Sequence, residues 1–232
     1  MATGGTVESR PLWQLSVGLL AHGVSLHCAA ATLTVKVTDE RGEPVESVAV
    51  YAIPSAQSPF VSGTEAFSLR PTAIMDQADN AFVPHLLVVQ TGTSVLFPNN
   101  DSVSHHVYSF SEAKTFELGL YKGDAYPPVQ FETPGVVVLG CNIHDGMLGY
   151  LVVVDTPHFS LTDAQGTVML DGLGGGSYTV EVWTPRARPG SLPPGSKIGL
   201  GSAETAELAV RLQGKLRPDH GHSGAGLSWD RY

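Results

Sequence analysis

Short apolar runs rich in Val, separated by turn-forming residues, constrain the fold of this chain most strongly. Two examples are residues 135–139 and residues 148–154, and Pro134 precedes the first of them. The sequence contains 26 Gly and 16 Pro, and only 15% of its residues are charged. Short runs bounded by Gly, Pro and Asn are typical of β-strands. We therefore expect an all-β protein.

A run of metal-binding side chains follows one of these strands. Cys141, His144 and Met147 form a Cys-x-x-His-x-x-Met pattern, and His105 and His106 begin another predicted strand upstream. One thiolate, two imidazoles and a weak axial thioether are the ligands of blue-copper electron-transfer sites. Adjacent strand residues point to opposite faces, so only one of the two neighbouring histidines can face such a site.

Two patterns in the central part of the chain resemble those of the cupredoxins, particularly plastocyanin and amicyanin. They are Asn-Asn-x-x-x-x-His-x-Val at residues 99–107 and Gly-Cys-x-x-His-x-x-Met at residues 140–147. The resemblance covers residues 66–155 and extends to proteins labelled methylamine utilisation protein. It implies a Greek-key sandwich that binds copper. The implied ligands are His105, Cys141, His144 and Met147.

The chain departs from the cupredoxin pattern at three positions. Ser104 replaces the Pro that usually precedes the first ligand, and Asp145 stands where Pro is common. His106 replaces an Asn that ties the two ligand loops together in the family. It can therefore take over that role, face outward or compete with His105 as a ligand.

One further histidine and two acidic residues offer alternative metal ligands. His85, Asp101 and Glu117 would form a second, harder metal site if the fold brought them together, and Glu117 could replace Met147 as the axial ligand. Because Glu117 alternates with Phe116 and Leu118, we expect its carboxylate to face solvent.

The segments on either side of the central part form a second pattern. Residues 32–51 alternate apolar and polar side chains on both sides of the turn at residues 39–42, which predicts a pair of strands. The motifs at residues 39–45, 162–166 and 176–180 resemble the carboxypeptidase regulatory-like, or transthyretin-like, β-sandwich. We expect residues 32–57 and 156–213 to form this sandwich.

These patterns predict the domain organisation. Residues 58–155 would be a cupredoxin-like domain inserted into a loop of the small sandwich, since insertion at an exposed loop is well tolerated. Three consecutive modules, or one fused sandwich, are the alternatives. Residues 214–232 are rich in Gly and polar residues and are expected to be a disordered tail.

The first 31 residues are typical of a secretory signal peptide. Arg10 precedes the apolar stretch at residues 12–26, and residues 29–31 are alanines suited to cleavage. Retention as an anchor is the alternative. Cleavage would remove Cys28 and leave Cys141 as the only cysteine, and a lone thiol in an oxidising compartment calls for an occupant such as a metal. We therefore expect a periplasmic protein with no membrane span in the mature chain.

The charge balance bears on the partners. Asp and Glu number 22 against 13 Lys and Arg, for a formal net charge of −9. An acidic chain is unsuited to nucleic acid. It would attract a basic redox protein, such as a cytochrome or a dehydrogenase, as a partner. We expect the chain itself to be a monomer.

Two functions remain from the sequence. The first is a periplasmic type 1, or blue, copper protein that carries single electrons between redox partners. The second is a non-redox copper-binding or surface-binding module, in which copper is structural or is being delivered. Four good ligands leave no open coordination position, so we do not expect an enzyme.

Overall fold

The structure, a computed structural model, describes residues 1, 30–55 and 72–218. Every regular element in these residues is a β-strand, which confirms the all-β fold. Residues 2–29 of the predicted signal segment, residues 58–71 of the predicted cupredoxin-like domain and the predicted tail from residue 219 lie outside the described residues. Within the described ranges, no helix is long and apolar enough to cross a membrane.

The described strands are numbered in chain order. They are β1 (Ala31–Thr38), β2 (Ala49–Pro54), β3 (Thr72–Ile74), β4 (Asp76–Ala78), β5 (Ala81–Val83), β6 (Leu86–Gln90), β7 (Thr93–Leu96), β8 (His105–Ser111), β9 (Lys114–Tyr121), β10 (Val129–Phe131), β11 (Gly135–Cys141), β12 (Leu148–Val154), β13 (Phe159–Leu161), β14 (Thr167–Leu173), β15 (Gly176–Trp183), β16 (Ser196–Leu200) and β17 (Thr205–Arg211).

Strands β3 to β12 form what we call the central sandwich. One sheet has the order β6-β12-β11-β8-β9 and the other has the order β10-β7-β3, while β4 and β5 form a separate hairpin. The apolar core includes Phe82, Phe131, Leu139 and Leu151, all fully buried. Alternation of buried and exposed side chains along β8 aims His105 and Val107 into this core.

The first and last strands form what we call the terminal sandwich. Its sheets have the orders β14-β1-β17 and β13-β2-β15-β16. Val35 of β1 lies opposite Val168 of β14, and Val50 of β2 lies opposite Val182 of β15. Strands from the two ends of the described chain therefore hydrogen bond to each other.

The expected pairing of the two strands within residues 32–51 is wrong beyond the turn, beside which Thr38 still bridges Pro44. Both strands form, but β1 and β2 lie in different sheets and the intervening chain crosses between them. The predicted turn is present, since Gly42 N–H donates to the Asp39 carbonyl oxygen. Crossing between sheets turns both apolar faces inward, where Leu33 and Val50 share one buried core. Ala31, the last residue of the predicted signal segment, is the first residue of β1.

A third apolar cluster joins the two sandwiches. Leu86, Val152 and Val154 of the central sandwich pack with Ala49 of β2, and all four are buried. The rings of Tyr150 and Trp183 also meet across this junction, with their centroids 5.5 Å apart. The terminal sandwich therefore covers part of the outer face of the five-stranded sheet.

Candidate metal site

Two neighbouring strands bring the first two candidate ligands together. Strand β8 begins at His105 and β11 ends at Cys141, and the strands run antiparallel with Cys141 opposite Val107. Because side chains alternate along a strand, His105 lies on the same face as Val107 and therefore as Cys141. The start of one strand and the end of its neighbour thus meet at one end of the sheet.

The loop between β11 and β12 brings the third candidate ligand to this end. His144 lies three residues after Cys141, and the Met147 N–H donates to its carbonyl oxygen at 2.9 Å. The Leu148 N–H donates to the Gly146 carbonyl oxygen at 3.1 Å. These turns return the chain to the sheet within six residues, 142–147, although Asp145 takes the place of the proline common in cupredoxins.

The three side chains form one compact donor group. The Nδ1 atoms of His105 and His144 lie 3.2 Å apart, and the Cys141 Sγ lies 3.7 Å from each of them. Metal–nitrogen bonds of about 2.0 Å and metal–sulfur bonds of about 2.3 Å require donor atoms about 3 to 4 Å apart. The group therefore fits a single metal ion, and among the described residues it is the one such group of His, Cys, Asp and Glu side chains.

Burial of the donor group suits a soft metal. His105 is fully buried and Cys141 is 4% exposed, while His144 is partly exposed. Within the described residues Cys141 is the free cysteine, so its sulfur has no disulfide partner to occupy it. A thiolate with two imidazoles is the donor combination of a copper site.

Met147 lies in the same apolar cluster as Cys141 and is 2% exposed. A buried Met is ordinarily core filling, but its thioether can also act as a weak axial ligand. The chain position places it at the end of the ligand loop. Its role as a ligand remains a proposal.

His106 faces away from the donor group. Its Nε2 lies 2.9 Å from Glu117 Oε1 on the outer face of the sheet, close enough for an ion pair but not aligned as a hydrogen bond. Its main-chain carbonyl oxygen accepts a hydrogen bond from the Asn142 N–H at 3.3 Å. The backbone of His106, rather than its side chain, thus ties the two ligand loops together.

The loop before His105 is held by buried amides and a phenol. The Asn99 side-chain amide donates to the carbonyl oxygens of Val103 and Tyr121, at 3.0 and 2.8 Å. The Tyr121 hydroxyl donates to the Phe97 carbonyl oxygen and accepts from the Gln77 amide, both at 2.6 Å. Burial raises the pKa of Tyr121 to about 12. These contacts fix the chain that leads into the first ligand.

The sequence did not predict that Asp101 contacts His105. Its Oδ2 lies 2.9 Å from His105 Nε2, on the side of the ring opposite the donor group. Burial by itself would raise the pKa of Asp101, but hydrogen bonds from Asn80 N–H, His105 and Ser102 hold it well below its usual range. The spacing of four residues before His105, in a loop rich in turn formers, was the signal available in the sequence.

The alternative hard-metal site does not form. Glu117 pairs with His106 outside the sheet, and its side chain is 67% exposed, as the alternation predicted. Asp101 contacts His105, and the His85 ring meets the Tyr150 ring edge-on with centroids 5.2 Å apart. The three residues therefore lie in separate surroundings.

Comparisons with known proteins give matches among solved structures. No family model matches the chain, and no curated protein matches it. Part of the chain is similar to a purple cupredoxin from Nitrosopumilus maritimus, with 23% identity, a TM-score of 0.32, and 36% of this chain and 99% of that chain covered. It is also similar to a reduced amicyanin mutant, with 22% identity, a TM-score of 0.33, and 45% of this chain and 99% of that chain covered.

A second amicyanin mutant, in its oxidised state, gives comparable values. The identity is 21%, the TM-score is 0.34, and the match covers 45% of this chain and 99% of that chain. At these identities and TM-scores the comparisons assign no function to this chain. The case for a metal site rests on its own donor atoms.

Proposed function

We propose that this chain binds one copper ion through His105, Cys141 and His144, with Met147 as a weak fourth ligand. We further propose that it carries single electrons between redox partners. The observation that carries the proposal is the buried group of one sulfur and two nitrogens at 3.2 to 3.7 Å spacing. Copper bound to such donors supplies a one-electron couple, because a thiolate favours Cu(I) and imidazoles suit both oxidation states.

The protein part of the site favours rapid electron exchange. Ligands that keep their positions in both oxidation states minimise the rearrangement that accompanies electron transfer. His105 is fixed by Asp101 and by the hydrogen-bonded loop that contains Asn99. Cys141 ends a strand paired on both sides, with β8 and β12. These restraints support a site whose geometry is set by the chain.

His144 offers the route for electrons to a partner. It is the partly exposed member of the donor group, and its neighbour Ile143 is 49% exposed. Leu148, at the other end of the loop, is 44% exposed. Met147, which lies between these two residues in the loop, is buried and does not contribute to this surface. A small apolar surface beside a ligand suits a transient redox complex.

The net charge and the first segment of the chain support a class of partner and a location. A net charge of −9 on this chain supports a basic redox protein, such as a cytochrome or a dehydrogenase, as its partner. The signal-like residues 1–31 and the single thiol of residues 32–232 support a periplasmic protein. A site with three protein ligands and a buried thioether nearby supports a carrier over an enzyme.

The domain organisation is part of the proposal. We propose that the cupredoxin-like domain, residues 58–155, is inserted into a carboxypeptidase regulatory-like sandwich of residues 32–57 and 156–213. The antiparallel pairing of β2 with β15, and of β1 with β14, supports this arrangement, because it joins segments on opposite sides of the proposed insert.

The competing function is a non-redox copper-binding or surface-binding module. Copper would then be structural or in transit, and the terminal sandwich would do the recognition. The two functions differ in whether the bound metal cycles reversibly between oxidation states.

Voltammetry of the copper-loaded protein separates these functions. A carrier gives a reversible one-electron wave and exchanges electrons with a cationic cytochrome at a rate that falls as salt screens the opposite charges.

Two surface variants locate the electron exchange. Ile143→Lys, in the apolar surface beside His144, should slow the exchange with the cytochrome and leave the voltammetric wave unchanged. Met169→Lys is the matched control, because Met169 is 59% exposed in the terminal sandwich. Copper binding without a reversible wave would contradict the proposal.

A further inference from the structure

A carboxylate lies directly behind the most deeply buried imidazole of the site. The Asp101 Oδ2 is 2.9 Å from His105 Nε2, and the two residues are 8% and 0% exposed. The other ring nitrogen, Nδ1, faces Cys141 and His144. The ring therefore lies between a carboxylate and the donor group.

The remaining hydrogen bonds of the Asp101 carboxylate all come from donors. Its Oδ2 also accepts from the Asn80 N–H at 2.7 Å, and its Oδ1 accepts from the Ser102 N–H and hydroxyl at 2.6 and 3.2 Å. Hydrogen bonds from such donors stabilise an ionised carboxylate more than a protonated one, and an amide in its place would turn an NH2 group toward one of the donors. This surrounding favours the charged form of Asp101.

The carboxylate is also fixed in place from two segments of the chain. The Asp101 N–H donates to the Asn99 side-chain oxygen at 2.9 Å, within the loop before β8. Asn80 belongs to the turn between β4 and β5, where it has a φ of 56°, a left-handed conformation that Asn adopts more readily than most residues. The β4–β5 turn therefore positions an N–H on the carboxylate that contacts His105.

This arrangement determines which nitrogen of His105 carries the proton. A carboxylate accepts hydrogen bonds and does not donate them, so the Nε2 that contacts it must carry a hydrogen. In a neutral imidazole the lone pair then resides on Nδ1, which is the atom that faces the donor group. Partners of this kind orient metal-binding histidines and raise their basicity.

We propose that Asp101 is a positioning residue that holds His105 as the Nε2–H tautomer and lowers the reduction potential of the site. The inference rests on the proposed copper function. A negative charge behind a ligand stabilises the more positive oxidation state of the metal, and a more basic imidazole binds that state more tightly. Asp101 therefore favours Cu(II) over Cu(I).

The test compares two carboxylates of the same region. Asp101→Asn keeps the size of the side chain but places an amide against the N–H groups of Asn80 and Ser102. Asp76→Asn is the matched control, because Asp76 accepts from Asn100 Nδ2 at 2.9 Å and from the Gln77 N–H at 2.7 Å and makes no hydrogen bond with His105. Both variants are loaded with copper and measured by voltammetry and Cu(II) titration.

The expected results differ between the variants. Asp101→Asn should shift the reduction potential to a more positive value and weaken Cu(II) binding by about 10- to 100-fold. Asp76→Asn should match the wild type in both. A wild-type potential in Asp101→Asn, or equal shifts in both variants, would overturn the proposal.

A second measurement needs neither copper nor a variant. Nitrogen-15 NMR of the metal-free protein at alkaline pH reports which ring nitrogen of each histidine carries the hydrogen. His105 should carry its hydrogen on Nε2, and an Nδ1–H tautomer would overturn the proposal. Absence of copper binding together with the Nε2–H tautomer would contradict the proposed function while supporting the hold of Asp101 on His105.

Discussion

The Sγ of Cys141 lies 3.7 Å from Nδ1 of His105, although 36 residues separate the two in sequence. The antiparallel register of β8 and β11 produces this proximity, since Cys141 lies opposite Val107 and His105 is two residues away on the same face. The sheet that forms the core of the central sandwich thus also assembles the candidate site.

Adjacent histidines should differ sharply in their effect on copper. His105→Ala removes a buried nitrogen of the donor group and should weaken copper binding more than about 100-fold, beyond the 10- to 100-fold effect of losing a ligand's supporting partner. His106→Ala removes a ring on the opposite face and should leave binding unchanged. Copper titration monitored by fluorescence measures both. Equal losses in the two variants would contradict the assignment of faces.

Gly149 of β12 should not tolerate a side chain. A Cβ at this position would lie 2.8 Å from atoms of the buried Phe82 ring, so Gly149→Ala should cost about 1 to 3 kcal/mol of unfolding free energy. A Cβ at Gly199 of β16 would meet no atom beyond its chain neighbours within 4 Å, so Gly199→Ala should change stability by less than about 0.5 kcal/mol. Urea denaturation compares them, and a neutral Gly149→Ala would show that the packing is looser than described.

The junction between the sandwiches should contribute to stability. Leu86 is 4% exposed in the cluster that joins them, so Leu86→Ala should cost about 2 to 5 kcal/mol. Leu120→Ala is the control, because Leu120 is 65% exposed and its loss should cost less than about 0.5 kcal/mol. Calorimetry should show one unfolding transition in the wild type. Two separate unfolding transitions whose midpoint temperatures are the same in Leu86→Ala and the wild type would show that the two sandwiches unfold independently.

His158 should make the folded state less stable in mild acid. Burial lowers the pKa of His158 in the folded protein, so the unfolded chain takes up a proton first as the pH falls through about 6.5. Stability from this group is therefore full above about pH 6.5 and decreases below it. Urea midpoints measured from about pH 8 to about pH 5 should fall less steeply in His158→Gln than in the wild type, and identical slopes would contradict this account.

The sequence predicted the elements better than their partners. Alternation and turn residues located β1 and β2, but an alternating strand shows only that one face is apolar and does not specify the sheet that it joins. The two strands therefore appeared as a pair, whereas Val35 and Val50 belong to opposite sheets of one sandwich. Short β13 and β16 lack a long apolar run and were not predicted at all.

The sequence predicted which candidate donor side chains come together, but not the residues that hold them in place. Ligand spacing identified Cys141 and His144, and strand parity allowed only one of His105 and His106 to face them. The hydrogen bonds from Asn80 to Asp101 and from Gln77 to Pro98 depend on how the β4–β5 hairpin packs beside the ligand loop, which no local pattern encodes. Such contacts follow from tertiary structure alone.

The central claim is that Cys141 and the two imidazoles bind a single copper ion, and the optical spectrum after Cu(II) addition tests it most directly. The account predicts one copper per chain and an intense thiolate-to-copper band toward the red end of the visible spectrum, which Cys141→Ser abolishes. A colourless copper complex, or a band that persists in Cys141→Ser, would contradict it.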